Sequence, residues 1–385
     1  MNRFTNPELN ALYMIKWCLS VLISFIVVAY SFGQNNKQYN FKINGTINAD
    51  AGMVSLQFFK DYISSKDKEL ETKVKDGKFT ISGYISESQS VFLLFDERYV
   101  SSDFIIEKGV QTISVNVDST REVPMVSNKT MQKEYPQYVA FYKQQKIKYA
   151  IFDQKEDSLR RHYNLPEDIK FNMKKKRDIL DRESDRLLLT YTQMHPNSNI
   201  AFWKLVRLMS WGYEPIFDSI YHAYSGVLKN GYAGYILKKK LDVGRQTSVG
   251  KQFPELSCVN NTNDKFSTSL FQKNKMTLVD FWYSRCNPCR AQFNGMKELY
   301  RQFGDKGFEI VGISVDSDAD KINWGKTILN ENLSWLQYLD LNGKAAKSLS
   351  IYVYPTNFLV DSTGKIIAKN VSLEELKSIL GKVIE

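Results

Sequence analysis

Residues 278–290 read Leu278-Val-Asp-Phe-Trp-Tyr-Ser-Arg-Cys-Asn-Pro-Cys-Arg290. Leu278 to Trp282 are nearly all apolar, which predicts a buried strand. A short turn follows, then Cys286-Asn287-Pro288-Cys289. Beyond it Cys289, Phe293, Met296, Leu299, Tyr300 and Phe303 recur at steps of three and four, one apolar face of a helix. Two cysteines therefore stand where a buried strand hands over to a helix N-terminus. Pro288 suits the first helical turn, where a missing N–H costs nothing.

The first turn of a helix presents unpaired N–H groups and the positive end of the macrodipole. A thiolate there is stabilised, so a cysteine pKa of about 8.5 falls toward roughly 3.5–7.5. Arg285 and Arg290 push the same way. Cys286, first in the pair, is expected to be exposed and to be the nucleophile. Cys289, one turn on and on the apolar face, is expected to be the resolving thiol. Half of a zinc site, or a structural disulfide, would use the same two residues. Zinc needs two further ligands, and Cys18, Cys258, His162, His195 and His222 are scattered along the chain. No metal and no cofactor are expected.

Residues 276–303 resemble the thioredoxin superfamily, and residues 250–385 are similar to its periplasmic TlpA/ResA-like branch. The resemblance rests on Val279-Asp-Phe-Trp282, Cys286-x-Pro-Cys289, Gly312-Ile-Ser-Val-Asp316 and Tyr354-Pro-Thr-Asn-Phe-Leu-Val-Asp361 followed by Gly364. Two positions depart from the pattern. Arg285 stands where the family usually has Trp, and Asn294 stands where thioredoxins carry a helix-kinking Pro.

The resemblance implies a thioredoxin-like α/β fold and a thiol-disulfide oxidoreductase. Its substrates would be protein or peptide disulfides, and an upstream thiol donor would re-reduce the pair. Pro beside the second cysteine resembles reducing members, which favours a reductase. The aspartate matching Asp280 in thioredoxins lies behind the resolving cysteine and takes its proton. A carboxylate inside a buried strand should hold its proton more tightly than usual. A strand-edge Asp bonded to backbone is the other reading. Pro355 matches the superfamily's cis-proline, which leaves the backbone of Tyr354 free to pair with an extended substrate peptide; an ordinary turn proline is the alternative. Trp282, Arg285, Tyr354 and Pro355 are the expected substrate-binding residues. A peroxidase of the peroxiredoxin type needs Thr and Pro a few residues before its cysteine, and Tyr283-Ser-Arg285 offers neither. A non-catalytic binding module on the same fold is the competing function.

At the other end of the chain, Lys16 precedes an apolar run from Trp17 to Phe32. The run has the length of a signal-peptide core and is short for a membrane span. Ser31-Phe-Gly33 offers small residues for cleavage before Gln34. Residues 1–33 are thus expected to be a signal peptide, and the protein periplasmic, with membrane attachment only if that segment is retained. Export leaves Cys258, Cys286 and Cys289, one pair and an odd thiol, which is no disulfide scaffold. Cys258 reads as a buried inert thiol, or as a transient partner for Cys286. The net charge of +10 is spread along the chain without a nucleic-acid motif, so no nucleic-acid partner is expected.

The expected fold is α+β and multidomain. Residues 34–125 read as an antiparallel β-sandwich: Val54, Leu56 and Phe58 alternate, as do Ile113, Val115 and Val117, and Asp76-Gly77 marks a hairpin. This part resembles the uncharacterised β-domain found ahead of thioredoxin domains in exported bacterial proteins. Residues 126–249 read as a helical connector of several short helices, with Lys174-Lys-Lys-Arg177 as a solvated face. Gly244 to Gly250 reads as a linker. Over 250–385, strands alternate with helices and a terminal hairpin makes the central sheet mixed. Ser372-x-x-Glu375 is a capping box for the last helix.

Overall fold

The computed structural model describes residues 39–64, 69–96, 99–161 and 167–384. The expected signal segment, residues 1–33, lies outside the described residues.

Among the described residues nine strands come first: β1 (Phe41–Ile47), β2 (Ala51–Phe58), β3 (Glu69–Lys75), β4 (Lys78–Gly83), β5 (Gln89–Phe95), β6 (Tyr99–Val100), β7 (Phe104–Ile106), β8 (Gly109–Val115) and β9 (Met125–Val126). In β1 buried and exposed residues alternate without a break, as apolar/polar alternation requires. Asp76 and Gly77 both take positive φ, 51° and 69°, and turn β3 into β4. All nine strands belong to one hydrogen-bonded sheet, in the order β6-β5-β2-β3-β4-β1-β8-β9 with β7 added on β5. Its neighbours run antiparallel except β1 and β8, which are parallel. That one pair differs from the all-antiparallel expectation. Parallel neighbours need a crossover, and the intervening strands β2–β7 are that crossover.

The helices α1 (Tyr135–Phe141), α2 (Lys143–Arg160), α3 (Glu167–Met194), α4 (Asn199–Met209), α5 (Ile216–Ala223), α6 (Gly226–Lys229) and α7 (Tyr232–Gln246) follow. The expectation of short helices fails for two of them, α2 and α3. α2 runs 18 residues and α3 runs 28, because no Pro or Gly interrupts either span. The helices share the sheet's interior. Val54, Leu56 and Ile106 of the sheet form one continuous core with Leu188, Leu205, Ile220 and Leu237 of the helices. Trp203 of α4 donates from Nε1 to the Ser88 carbonyl at 3.2 Å. The basic run on α3 is only partly a solvated face. Lys174 pairs with Glu375 at 3.2 Å, and Arg177 pairs with Asp153 at 2.6 Å while lying 4.6 Å from the Phe152 ring centroid.

The linker reading of Gly244 to Gly250 is corrected. Gly244 is buried inside α7, where a Cβ would stand 2.3 Å from Cβ of Tyr213. Glycine there permits close packing of the helix and is no sign of slack. The chain then fastens onto the next unit at once: Gly250 N–H donates to Ile366 O and Phe253 N–H to Gly364 O, each at 2.8 Å.

That unit comprises β10 (Met276–Trp282), α8 (Asn287–Phe303), β11 (Phe308–Ser314), α9 (Lys321–Asn330), β12 (Leu336–Leu339), α10 (Lys344–Ser348), β13 (Thr356–Asp361), β14 (Ile366–Lys369) and α11 (Leu373–Val383). The sheet order is β12-β11-β10-β13-β14. β10, β11 and β12 run parallel, while β13 and β14 are antiparallel additions. Every residue of β10 is buried, as its continuous apolar run requires of a central strand. Side chains alternate across the strand and separate two apolar layers. Met276, Leu278 and Trp282 pack with Cys289, Phe293 and Met296 of α8. Val279 and Phe281 pack on the other face with Phe253, Phe271 and Phe358. Ser372 and Glu375 form the expected capping box on α11.

Candidate active site

The turn Tyr283–Arg285 carries the chain from β10 into α8, and a buried carboxylate holds it. Asp316, just past β11 and 3% exposed, accepts from Ser284 N–H at 3.0 Å, from Ser284 Oγ at 2.7 Å and from Ser314 Oγ at 2.6 Å. Cys286 is the N-cap of α8, and its Sγ accepts from Cys289 N–H at 3.1 Å. The sulfur thus takes one of the donors that a helix start leaves open. Cys286 and Cys289 are joined as a disulfide with a Cα–Cα distance of 5.3 Å.

The expected exposure of Cys286 is corrected: it is 1% exposed, as is Cys289. Position in the pair says nothing about cover. As N-cap, Cys286 folds its side chain back over the first turn, into the apolar layer that contains Trp282 and Phe293.

Arg285 and Arg290 flank the pair as the sequence places them, but each is engaged by an acid. Arg285 bonds Asp320 at 2.8 Å with its side chain 72% exposed, and Arg290 bonds Glu331 at 2.6 Å. Their charge at the sulfurs is correspondingly screened.

Asp280 lies between Gly312 of β11 and Asn357 of β13, in the middle of the sheet and not at an edge. Alternation puts it on the face of Leu278 and Trp282, the face α8 covers. It is 3% exposed, and its Oδ1 has no hydrogen-bond partner among the described residues. Burial pushes its pKa up to about 7. The backbone-bonded edge reading therefore does not describe it.

Trp282 does not offer a substrate-binding surface and is corrected in that role. It is 1% exposed, packs edge-on against Phe293 at 5.3 Å, and donates from Nε1 to Gln337 Oε1 at 3.2 Å. Its even position on β10 points it into the layer beneath α8. Tyr354 stands at the surface of the site, half-buried, with its ring edge-on to Tyr283 at 5.7 Å. Burial pushes the Tyr354 hydroxyl up to about 12. The Tyr354–Pro355 peptide bond is cis.

Cys258 is buried in the layer on the opposite face of the sheet from the cysteine pair, and burial pushes its thiol up to about 12. The sheet separates it from Cys286. Sequence reading missed Ser284, Gln337 and Tyr283 as parts of the site. Asp316 was visible only as part of a motif. Its signal was its place at the carboxyl end of a parallel strand, where α/β folds gather functional groups.

Residues 249–369 match the AhpC/TSA family, and residues 41–153 match the family described as Domain of unknown function (DUF4369). The thiol-disulfide oxidoreductase ResA of Bacillus thuringiensis subsp. konkukian is 28% identical over 155 residues, which are 40% of this chain and 85% of that protein. The thiol:disulfide interchange protein DsbE of Escherichia coli is 28% identical over 121 residues, 31% of this chain and 62% of that protein. Among solved structures, a thiol-disulfide oxidoreductase from Bacteroides fragilis is 34% identical, covering 34% of this chain and 98% of its own, with a TM-score of 0.32. The chain thus carries a thioredoxin-like domain of the AhpC/TSA family behind a DUF4369 domain, and its relatives are thiol-disulfide oxidoreductases of the ResA and DsbE kind.

Proposed function

We propose that this protein is an exported reductase of protein disulfides that works through the Cys286–Cys289 dithiol. The carrying observation is the cysteine pair at the start of α8 and, on the same face of β10, the buried Asp280 carboxyl, whose Oδ1 has no hydrogen-bond partner among the described residues. In the reduced protein the Cys286 thiolate attacks one sulfur of a substrate disulfide. The Cys286–substrate bond forms, the substrate's own S–S bond breaks, and its second sulfur leaves as a thiolate that takes a proton from water. Asp280 in its carboxylate form then takes the proton of Cys289. The Cys289 thiolate attacks Cys286 Sγ, the intramolecular bond forms, and the substrate departs as its second thiolate. The substrate gains two electrons and the protein loses two, which an upstream thiol donor restores. Arg285, next to Cys286 in the chain, and Tyr354, whose ring packs on Tyr283 of the preceding turn, would meet the bound peptide together with Pro355. The apolar run of residues 17–32 supports export.

The test is trapping. Cys289→Ser should stall at the mixed disulfide and accumulate higher-mass adducts that vanish with reductant. Cys258 lies across the sheet and should not release them. Cys286→Ser should accumulate none. Equal adducts in both variants would overturn the assignment of roles. No adducts, with no disulfide reduction by the unaltered protein, would favour a non-catalytic binding module.

A further inference from the structure

Lys240 stands where the three parts of the chain meet. Its side chain leaves α7 and is only 15% exposed, and its ammonium bonds Asp61 Oδ2 at 2.7 Å on the segment after β2. The same ammonium lies 5.0 Å from the ring centroid of Tyr62 and 4.4 Å from that of Tyr352. Tyr62 is buried beside it, 4% exposed, with a hydroxyl that finds no partner among the described residues. Tyr352 belongs to Ile351-Tyr-Val-Tyr-Pro355, the segment that leads into β13. Two residues on, Tyr354 packs against Tyr283, three residues before Cys286.

A lysine side chain only 15% exposed needs an anchor for its ammonium. Asp61 and two ring faces provide it. Other ties between the two halves have a different character. Lys174–Glu375 is a partly exposed pair, 42% and 33%, of the kind that contributes little. Gly250 bonds Ile366 of the edge strand β14 and Phe253 bonds Gly364 in the turn before it, where the chain crosses over. The Lys240 junction reaches Tyr352, on the segment that leads into β13. Tyr352 is also 39% exposed, so a polypeptide lying across Tyr354 and passing Tyr352 meets Asp61 and Lys240 next. A small disulfide needs to reach only Cys286.

We infer that Lys240 is a positioning residue which makes the DUF4369 part of the chain one wall of the surface that the polypeptide substrate meets. Lys240 acts through Tyr352: it holds the rim of the site against Asp61 and Tyr62. The inference rests on the thiol-disulfide exchange proposed above.

The experiment follows single-turnover oxidation of the pre-reduced full chain by oxidised insulin and, separately, by glutathione disulfide. Lys240→Met keeps the apolar stem and removes the charge. Its rate with insulin should fall about tenfold, the equivalent of a lost cation–ring contact, and its rate with glutathione disulfide should stay within about twofold. Lys240→Arg should restore the insulin rate, because a guanidinium also sits on ring faces. Tyr352→Ala should match Lys240→Met, which keeps the test open if the latter fails to fold. Both rates falling together, neither falling, or an unaltered protein that reacts with glutathione disulfide alone would each overturn the inference. An unaltered protein that reacts with neither disulfide would instead refute the exchange reading beneath it.

Discussion

Asp280 is a carboxyl whose hydration has been removed with no hydrogen bond given to its Oδ1 in return. The sign of the resulting pH effect follows directly. An unfolded Asp loses its proton near about 4, whereas the folded one holds it to about 7. Between those values the folded state binds more protons, so this group makes stability fall as pH rises. Each unit is worth about 1.4 kcal/mol, or up to roughly 4 kcal/mol in all. Asp280→Asn should flatten the pH dependence of chemical denaturation of the oxidised protein across that window. An unchanged slope would place the perturbed group elsewhere. The same variant should slow release of product from the mixed disulfide, by about 10²–10⁴-fold if proton transfer limits that step. Arg285 is the contrasting case. Its guanidinium is exposed and already bonded to Asp320, so an effect below about 1 kcal/mol is expected. Arg285→Ala should move the alkylation pKa of reduced Cys286 by less than about 0.7 unit. The helix-start donor from Cys289 N–H, which Arg285→Ala leaves in place, should keep that pKa below the free-thiol value.

At the scale of elements, two short-range constraints shape the strands and the turn that presents the dithiol. Asp316 ties the Tyr283–Arg285 turn to the end of β11 through Ser284 and Ser314. Hydrogen bonds to a buried charge are each worth about 1.5–3 kcal/mol, and loss of the acceptor strands the Ser284 N–H. Asp316→Ala should therefore cost at least about 2 kcal/mol in urea unfolding, and should broaden the range of Cys286 reactivity by freeing the turn. In β1, Gly45 lies directly under the Phe79 ring, where a Cβ would come within 2.0 Å of Cζ. Gly45→Ala should cost about 1–3 kcal/mol as an overpacked site. A neutral result in a thermal melt would show that the Phe79 ring can swing aside.

At the scale of the molecule, the apolar interior divides after residue 249. The nine-stranded sheet and helices α1–α7 share one core, while the thioredoxin-like unit has two layers of its own. Between them lies a cleft of about 1960 Å³ bordered both by charged residues such as Asp185, Lys204, Glu214 and Lys369 and by apolar ones such as Phe152, Trp211 and Ile367, and not a packed seam. A chain of residues 249–385 should therefore fold cooperatively by itself, with one sigmoidal melt by circular dichroism. Residues 39–125 should not, because Leu188, Leu205 and Leu237 of the helices complete their core. Residues 39–248 should. A cooperative melt from residues 39–125 alone would show that the helices are dispensable to the sheet.

The sequence alone determined what depends on neighbours a few residues apart. An apolar run read β10, a repeat of three and four read α8, and Pro288 marked the first turn of that helix. Asp76-Gly77 read a hairpin and Ser372-x-x-Glu375 a cap, because each is a local backbone requirement met by particular side chains. Asp280 stood out for the same reason, as one carboxyl in a dry strand. Tertiary structure alone decided the cover over Cys286, the inward direction of Trp282, the parallel pairing of β1 with β8, the Asp316 clamp and the Lys240 junction. Each of these joins residues distant in the chain. Distant residues are brought together by the closing of a core and the desolvation of the charges caught in it, and no periodicity along the chain records which ones will meet.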